Sequence, residues 1–102
     1  MQESITTKRA QIVDLCRQHH VRRLAVFGSA LRGDFDPAQS DIDFLVEFEP
    51  MTPTEYANSY FELLHGLSSL LGRKIDLVTW KSIRNPYFLK EVESSIEELY
   101  AA

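Results

Sequence analysis

The chain alternates between two hydrophobic periods. Ile5, Ile12, Leu15, Cys16 and His19 recur at helical spacing and predict a first helix from about Ser4 to His19. Arg23 to Phe27 then reads as a buried strand that ends at Gly28, and Leu31 to Pro37 as mostly loop after a short helical turn. From Asp41 to Phe48 the period drops to two. Ile42, Phe44, Val46 and Phe48 take one face of this second strand, and Asp41, Asp43, Leu45 and Glu47 the other. Thr52-Pro53-Thr54-Glu55 opens the clearest helix, with a Thr cap, Pro at the first helical position and Glu placed for a capping box. Its apolar stripe is Tyr56, Tyr60, Leu63, Leu64, Leu67, Leu70 and Leu71, and Gly72 stands where a C-terminal cap belongs. Arg73 to Thr79 reads as a third strand, Asn85-Pro86 as the start of a short helix over Tyr87 to about Glu93, and Ile96 to Tyr100 as either strand or helix.

Three acids interrupt these apolar runs. Asp is depleted from strands because it bonds its own backbone and favours turns, yet Asp41 and Asp43 open the second strand and Asp76 lies within Lys74-Ile75-Asp76-Leu77-Val78. Taken singly, Asp41 reads as a cap and Asp43 as a solvated edge residue. Two carboxylates on one face repel, however, unless a cation stands between them, and a divalent metal with oxygen ligands is the usual one. A glycine and a hydroxyl at Gly28-Ser29 suggest phosphate. Gly28-Ser29 at the end of strand one and the acids at the start of strand two converge only if those strands are antiparallel neighbours. The long helix between strands two and three favours a parallel crossover, which brings Asp76 to the same end. The expected fold is therefore α/β (α+β), a small mixed sheet with helices mainly on one face and the carboxylates on the other.

Length and composition fit one domain over residues 1–102, with 44% hydrophobic residues and a formal charge of −4. The single Cys16 leaves no internal disulfide and no Cys-based zinc site, reads as a small core residue and suits a reducing compartment. The start, Met1-Gln2-Glu3-Ser4, lacks a signal peptide's basic start and apolar run, and no stretch approaches the ~20 apolar residues of a membrane span. A cytoplasmic protein is expected, with no membrane contact. The acidic balance argues against direct binding to nucleic acid. His19 and His20 have no metal-ligand spacing, Ser40 reads as a turn cap and Trp80 as packing rather than a base-stacking platform.

Val26-Phe27-Gly28-Ser29-Ala30-Leu31-Arg32-Gly33, then Ser40-Asp41-Ile42-Asp43-Phe44-Leu45-Val46, then Ile75-Asp76-Leu77-Val78 resemble the polymerase-beta-like nucleotidyltransferase superfamily, and within it the stand-alone minimal nucleotidyltransferases (MNT). Asn85-Pro86-Tyr87 and Leu99-Tyr100 are similar to that family's C-terminal segment. The resemblance implies that Gly28 and Ser29 hold the nucleotide's phosphates, with Arg32 matching a loop Arg that touches phosphate. It also implies that Asp41, Asp43 and Asp76 are the catalytic acids and hold magnesium, as two ions. The implied reaction moves a nucleoside monophosphate from ATP and releases pyrophosphate. Proteins of this kind pair with a HEPN-domain RNase toxin, so the resemblance implies a magnesium-dependent antitoxin that adenylylates a tyrosine of that toxin in a hetero-oligomer. Two other readings are an antitoxin that acts by binding alone and an enzyme modifying a small molecule of the aminoglycoside type.

Overall fold

The longest helix shows how the sequence sets its own boundaries. In the computed structural model, which describes residues 3–27 and 41–102, α3 runs over Pro53–Leu71. The Thr52 hydroxyl oxygen accepts the Glu55 N–H at 3.2 Å and donates its own proton to Glu55 Oε1 at 2.9 Å. The capping box thus closes through the hydroxyl. At the other end Gly72 adopts the left-handed conformation, φ 63°, and returns its N–H to the Ser68 carbonyl. Ser59, Leu63, Leu67 and Leu71 are its buried residues, with Tyr56, Tyr60, Leu64 and Leu70 packed at the margin of the core.

The N-terminal segment forms two helices where one was expected, α1 over Glu3–Thr7 and α2 over Arg9–Gln18. Two β-branched residues, Thr6 and Thr7, close the first, and β-branching disfavours helix. Lys8 then stands at the break and sends Nζ 2.7 Å to the carbonyl of Leu70. That carbonyl belongs to the last turn of α3, where no intrahelical donor remains. The break therefore satisfies a group that a continuous helix would leave to solvent.

Four strands follow, β1 over Val21–Phe27, β2 over Ile42–Phe48, β3 over Ile75–Thr79 and β4 over Glu97–Ala101. The undecided tail is thus a strand. β3 starts two residues later than the pattern suggested, and ahead of it the Ser68 hydroxyl donates to the Arg73 carbonyl at 3.1 Å. The order across the sheet is β3-β2-β1-β4, with β1 antiparallel to β2 and to β4, and β2 parallel to β3. This is the expected mixed sheet. Leu24 and Val26 of β1 and Ile42, Phe44, Val46 and Phe48 of β2 join Ile5, Ile12, Cys16, Leu63, Leu67 and Leu71 in one buried cluster. Burial pushes the Cys16 thiol up to about 12.

The opposite face has a cover of its own. β3 and β4 lie on opposite edges, and β4 pairs antiparallel to β1 with Glu97 opposite Val26. The chain between them must return from the far end of β3 across the whole sheet. It starts with a 3-10 turn over Trp80–Ser82 and continues as α4 over Pro86–Glu93, capped by Asn85 Oδ1 on the N–H groups of Tyr87 and Phe88. Trp80 meets Arg23, which alternates with core-facing Leu24, at 3.9 Å from its guanidinium to the ring centroid. Ala25, Leu45 and Val92 are buried yet stand outside the main cluster. The return path therefore runs under the face opposite α2 and α3, the face that carries Asp43.

The free edge of β3 is also furnished. Ile42 N–H bonds the Lys74 carbonyl, so the peptide groups of Lys74, Asp76 and Val78 aim at β2 and those of Ile75, Leu77 and Thr79 aim outward. The Tyr60 hydroxyl donates to the Leu77 carbonyl, and Ser82 Oγ donates to that of Thr79 at 2.8 Å. Among the described residues no helix is long and apolar enough to cross a membrane.

Candidate functional site

The strand register assembles the site. Asp43 pairs across to Phe27, the last residue of β1, on one side and to Asp76 on the other. Neighbouring strands lie about 4.8 Å apart and register partners point to the same face, so the Asp43 and Asp76 carboxylates are adjacent. Asp41 sits two residues before Asp43, at the start of β2 and on the same face. All three acids thus lie at the end of the sheet where β1 finishes. Gly28 and Ser29, next in sequence after Phe27, and Arg32 fall outside the described residues, as does Ser40.

The sheet joins two of the three acids directly and holds the third a little apart. Asp41 Oδ2 lies 4.0 Å from Lys74 Nζ, and both side chains are well exposed. An exposed pair of this length is worth at most about 1 kcal/mol. Among the described residues no group of three His, Cys, Asp or Glu is gathered into a ready cage for a metal ion. The donor set nevertheless fits magnesium in kind: carboxylate oxygens on register neighbours, open to water, with one further carboxylate held only by a weak surface pair.

Two neighbours escaped the sequence reading. Lys74, two residues before Asp76, faces Asp41 as a built-in counter-charge, and the only signal for it was its place beside the third acid. Tyr60 looked like one more residue of an apolar stripe. Its phenol is raised above the ordinary tyrosine value by burial, then by the Asp76 charge and then by Tyr56, which places it within the field of the carboxylate end. Trp80 and the cavity of about 180 Å³ that it lines with Phe48, Tyr56 and Glu49 lie at the far end of the strands. Trp80 is a packing residue, as expected. His19 pairs with Glu62 at 3.3 Å, remote from the acids in the fold.

Similarity to known proteins follows the same residues. A family described as nucleotidyltransferase domain matches residues 9–99. A Methanocaldococcus jannaschii protein that bears the provisional name of protein adenylyltransferase is 37% identical over 95 residues, covering 85% of this chain and 93% of its own length. A solved structure provisionally named a minimal nucleotidyltransferase superposes with a TM-score of 0.74 at 31% identity, covering 95% of each chain. A chain from the solved complex of a tri-AMPylated Shewanella oneidensis HEPN toxin with its MNT antitoxin superposes at 0.64, covering 95% of this chain and 72% of that one. At 22% identity that likeness is one of fold.

Proposed function

We propose, for a chain that belongs to the nucleotidyltransferase domain family, that it transfers AMP from ATP to a tyrosine of a HEPN-domain toxin in the cytoplasm and silences that toxin as its antitoxin. The observation that carries the reading is the register of Asp43 against Asp76 at the end of the sheet where β1 gives way to Gly28-Ser29. The relative named a protein adenylyltransferase supports the reaction class, and the solved complex of an MNT antitoxin with an AMPylated HEPN toxin supports the partner.

In this reading Gly28 leaves room for the backbone to approach the triphosphate, and the Ser29 hydroxyl donates to its oxygens, with Arg32 as a further donor. Asp41, Asp43 and Asp76 hold magnesium, which supplies charge neutralisation at the triphosphate and eases ionisation of the acceptor hydroxyl. The tyrosine oxygen forms a bond to the α-phosphorus as the bond to the β-phosphate oxygen breaks. Pyrophosphate leaves, and the Asp76 carboxylate, the most exposed acid of the register pair, receives the phenolic proton. Before substrate binds, Lys74 offsets the charge of Asp41. Most of the remaining rate must come from positioning the acceptor hydroxyl for in-line attack at the end of the sheet, where Asp76 stands exposed.

The test is to incubate the chain with its HEPN partner, magnesium and ATP, and to map added mass on the partner. One or more AMP groups on a tyrosine, absent with Asp43→Asn, is the expected result. A partner that gains no nucleotide yet is fully silenced by Asp43→Asn would replace this reading with neutralisation by binding alone.

A further inference from the structure

The two strands that carry the acids place a fourth charge among them. β2 and β3 run parallel with Asp43 opposite Asp76 and Ile42 opposite Ile75, and the Ile42 N–H bonds the Lys74 carbonyl. One step nearer the end of the sheet, Asp41 therefore stands opposite Lys74. Positions two apart on a strand share a face. Asp41, Asp43, Lys74 and Asp76 are thus the corners of one patch, three anions and one cation. Lys74 Nζ lies 4.0 Å from Asp41 Oδ2, and its side chain is 83% exposed. A pair this open holds the lysine loosely, and a flexible four-carbon stem lets the ammonium turn to another anion.

Filling the site changes what this lysine faces. A carboxylate that ligates magnesium gives its charge to the metal, and a dication repels the ammonium that stood beside it. The nucleotide supplies the anion to which the lysine can turn. Negative charge on its leaving end grows as the bond to the α-phosphorus breaks, and a cation aimed at that charge lowers the barrier.

We propose that Lys74 is a ligand of the nucleotide's triphosphate, held in reserve on Asp41 until magnesium takes that carboxylate. This rests on the adenylyl-transfer reading and adds to it a nucleotide-binding residue placed just before β3. The lysine then has two opposite effects on affinity. Without nucleotide it competes with magnesium for Asp41. With nucleotide it adds a charge-assisted contact to the phosphates. A residue that only supported the fold would move both affinities the same way.

The experiment measures two equilibria of the full chain by calorimetric titration at low salt. One is magnesium without nucleotide, and the other is α,β-methylene-ATP, whose α–β bridge does not break, at saturating magnesium. Lys74→Met should bind magnesium about threefold more tightly and the nucleotide about tenfold more weakly. Lys74→Arg keeps the charge and should restore both. Lys81→Met alters an exposed lysine beyond the far end of β3 and should change neither. All are surface positions, so unfolding midpoints in chelator should match the wild type. Either constant unchanged in Lys74→Met, or both shifted in the same direction, overturns the proposal. A wild type that takes up neither ligand overturns it together with the metal assignment of the acids. The readout is binding, so a chain whose two constants move apart but that adds no AMP to the HEPN partner refutes the transfer reading and leaves Lys74 in place. Transfer to the partner with both constants unmoved by Lys74→Met removes this assignment alone.

Discussion

Replacing Asp76 by Asn should make the metal-free protein more stable while it removes the chemistry. Asp76 and Asp43 are register partners on parallel neighbours, so two negative charges sit about 5 Å apart. Asp76 is exposed, so the surrounding dielectric is close to that of water, and Coulomb's law then gives roughly 0.8 kcal/mol of repulsion. Asp41 adds a smaller amount that Lys74 partly cancels. For a domain of this size, about 1 kcal/mol corresponds to a rise of roughly 5 °C in Tm. The assay is urea unfolding of both proteins in chelator at low salt and again at about 1 M, where the screening length falls to about 3 Å and the difference should vanish. Added magnesium should reverse the order, because a ligand that binds only the folded state stabilises in proportion to its affinity and the variant has lost one carboxylate. If Asp76→Asn were no more stable than wild type at low salt in chelator, the two carboxylates would not be neighbours, and the register argument for the site would fall.

Three further outcomes test the frame that carries the site. Gly72→Ala keeps an open environment, with no atom within 4 Å of the added Cβ, but must hold φ at 63°, so denaturant unfolding should show a loss of about 1–2 kcal/mol. Lys8→Met removes the donor to the Leu70 carbonyl and should lose about 1 kcal/mol, whereas an unchanged midpoint would show that the helix break has another cause. Cys16 should resist thiol reagents at neutral pH until the protein unfolds. Because its folded pKa lies above the unfolded one, its contribution is complete below about pH 9 and fades as pH rises toward 12, by up to about 4 kcal/mol, and a Cys16→Ala protein should lack this alkaline decline.

Much of this architecture is written locally. Thr52, Pro53 and Gly72 mark both ends of α3 through short-range hydrogen bonds and backbone preference, and the structure keeps those ends. The alternation of Asp43 with Phe44 and Val46 likewise assigns faces without knowledge of the partner strand. What stayed hidden depended on distant contacts. The break at Lys8 is explained by a carbonyl 62 residues away, and no local pattern announces it. The choice of strand for the tail rests on its pairing with β1, and Tyr60 was read as plain core because its hydroxyl finds its acceptor on another element. The acids were legible because Asp is costly in a strand. Lys74 was not, because a lysine on a surface needs no excuse.

A sheet that ends in an open strand is a template, and any extended chain that meets it can copy itself on. Here the outward carbonyls of Leu77 and Thr79 are already plugged, one by a phenol from the neighbouring helix and one by a serine three residues along. Recruitment of a further strand at that margin would first have to pull both plugs. The free edge of β3 is thereby partly blocked along the half that leads away from the acids. Two of the three outward carbonyls are thus taken, which weakens backbone pairing at that margin and favours a partner that reads side chains.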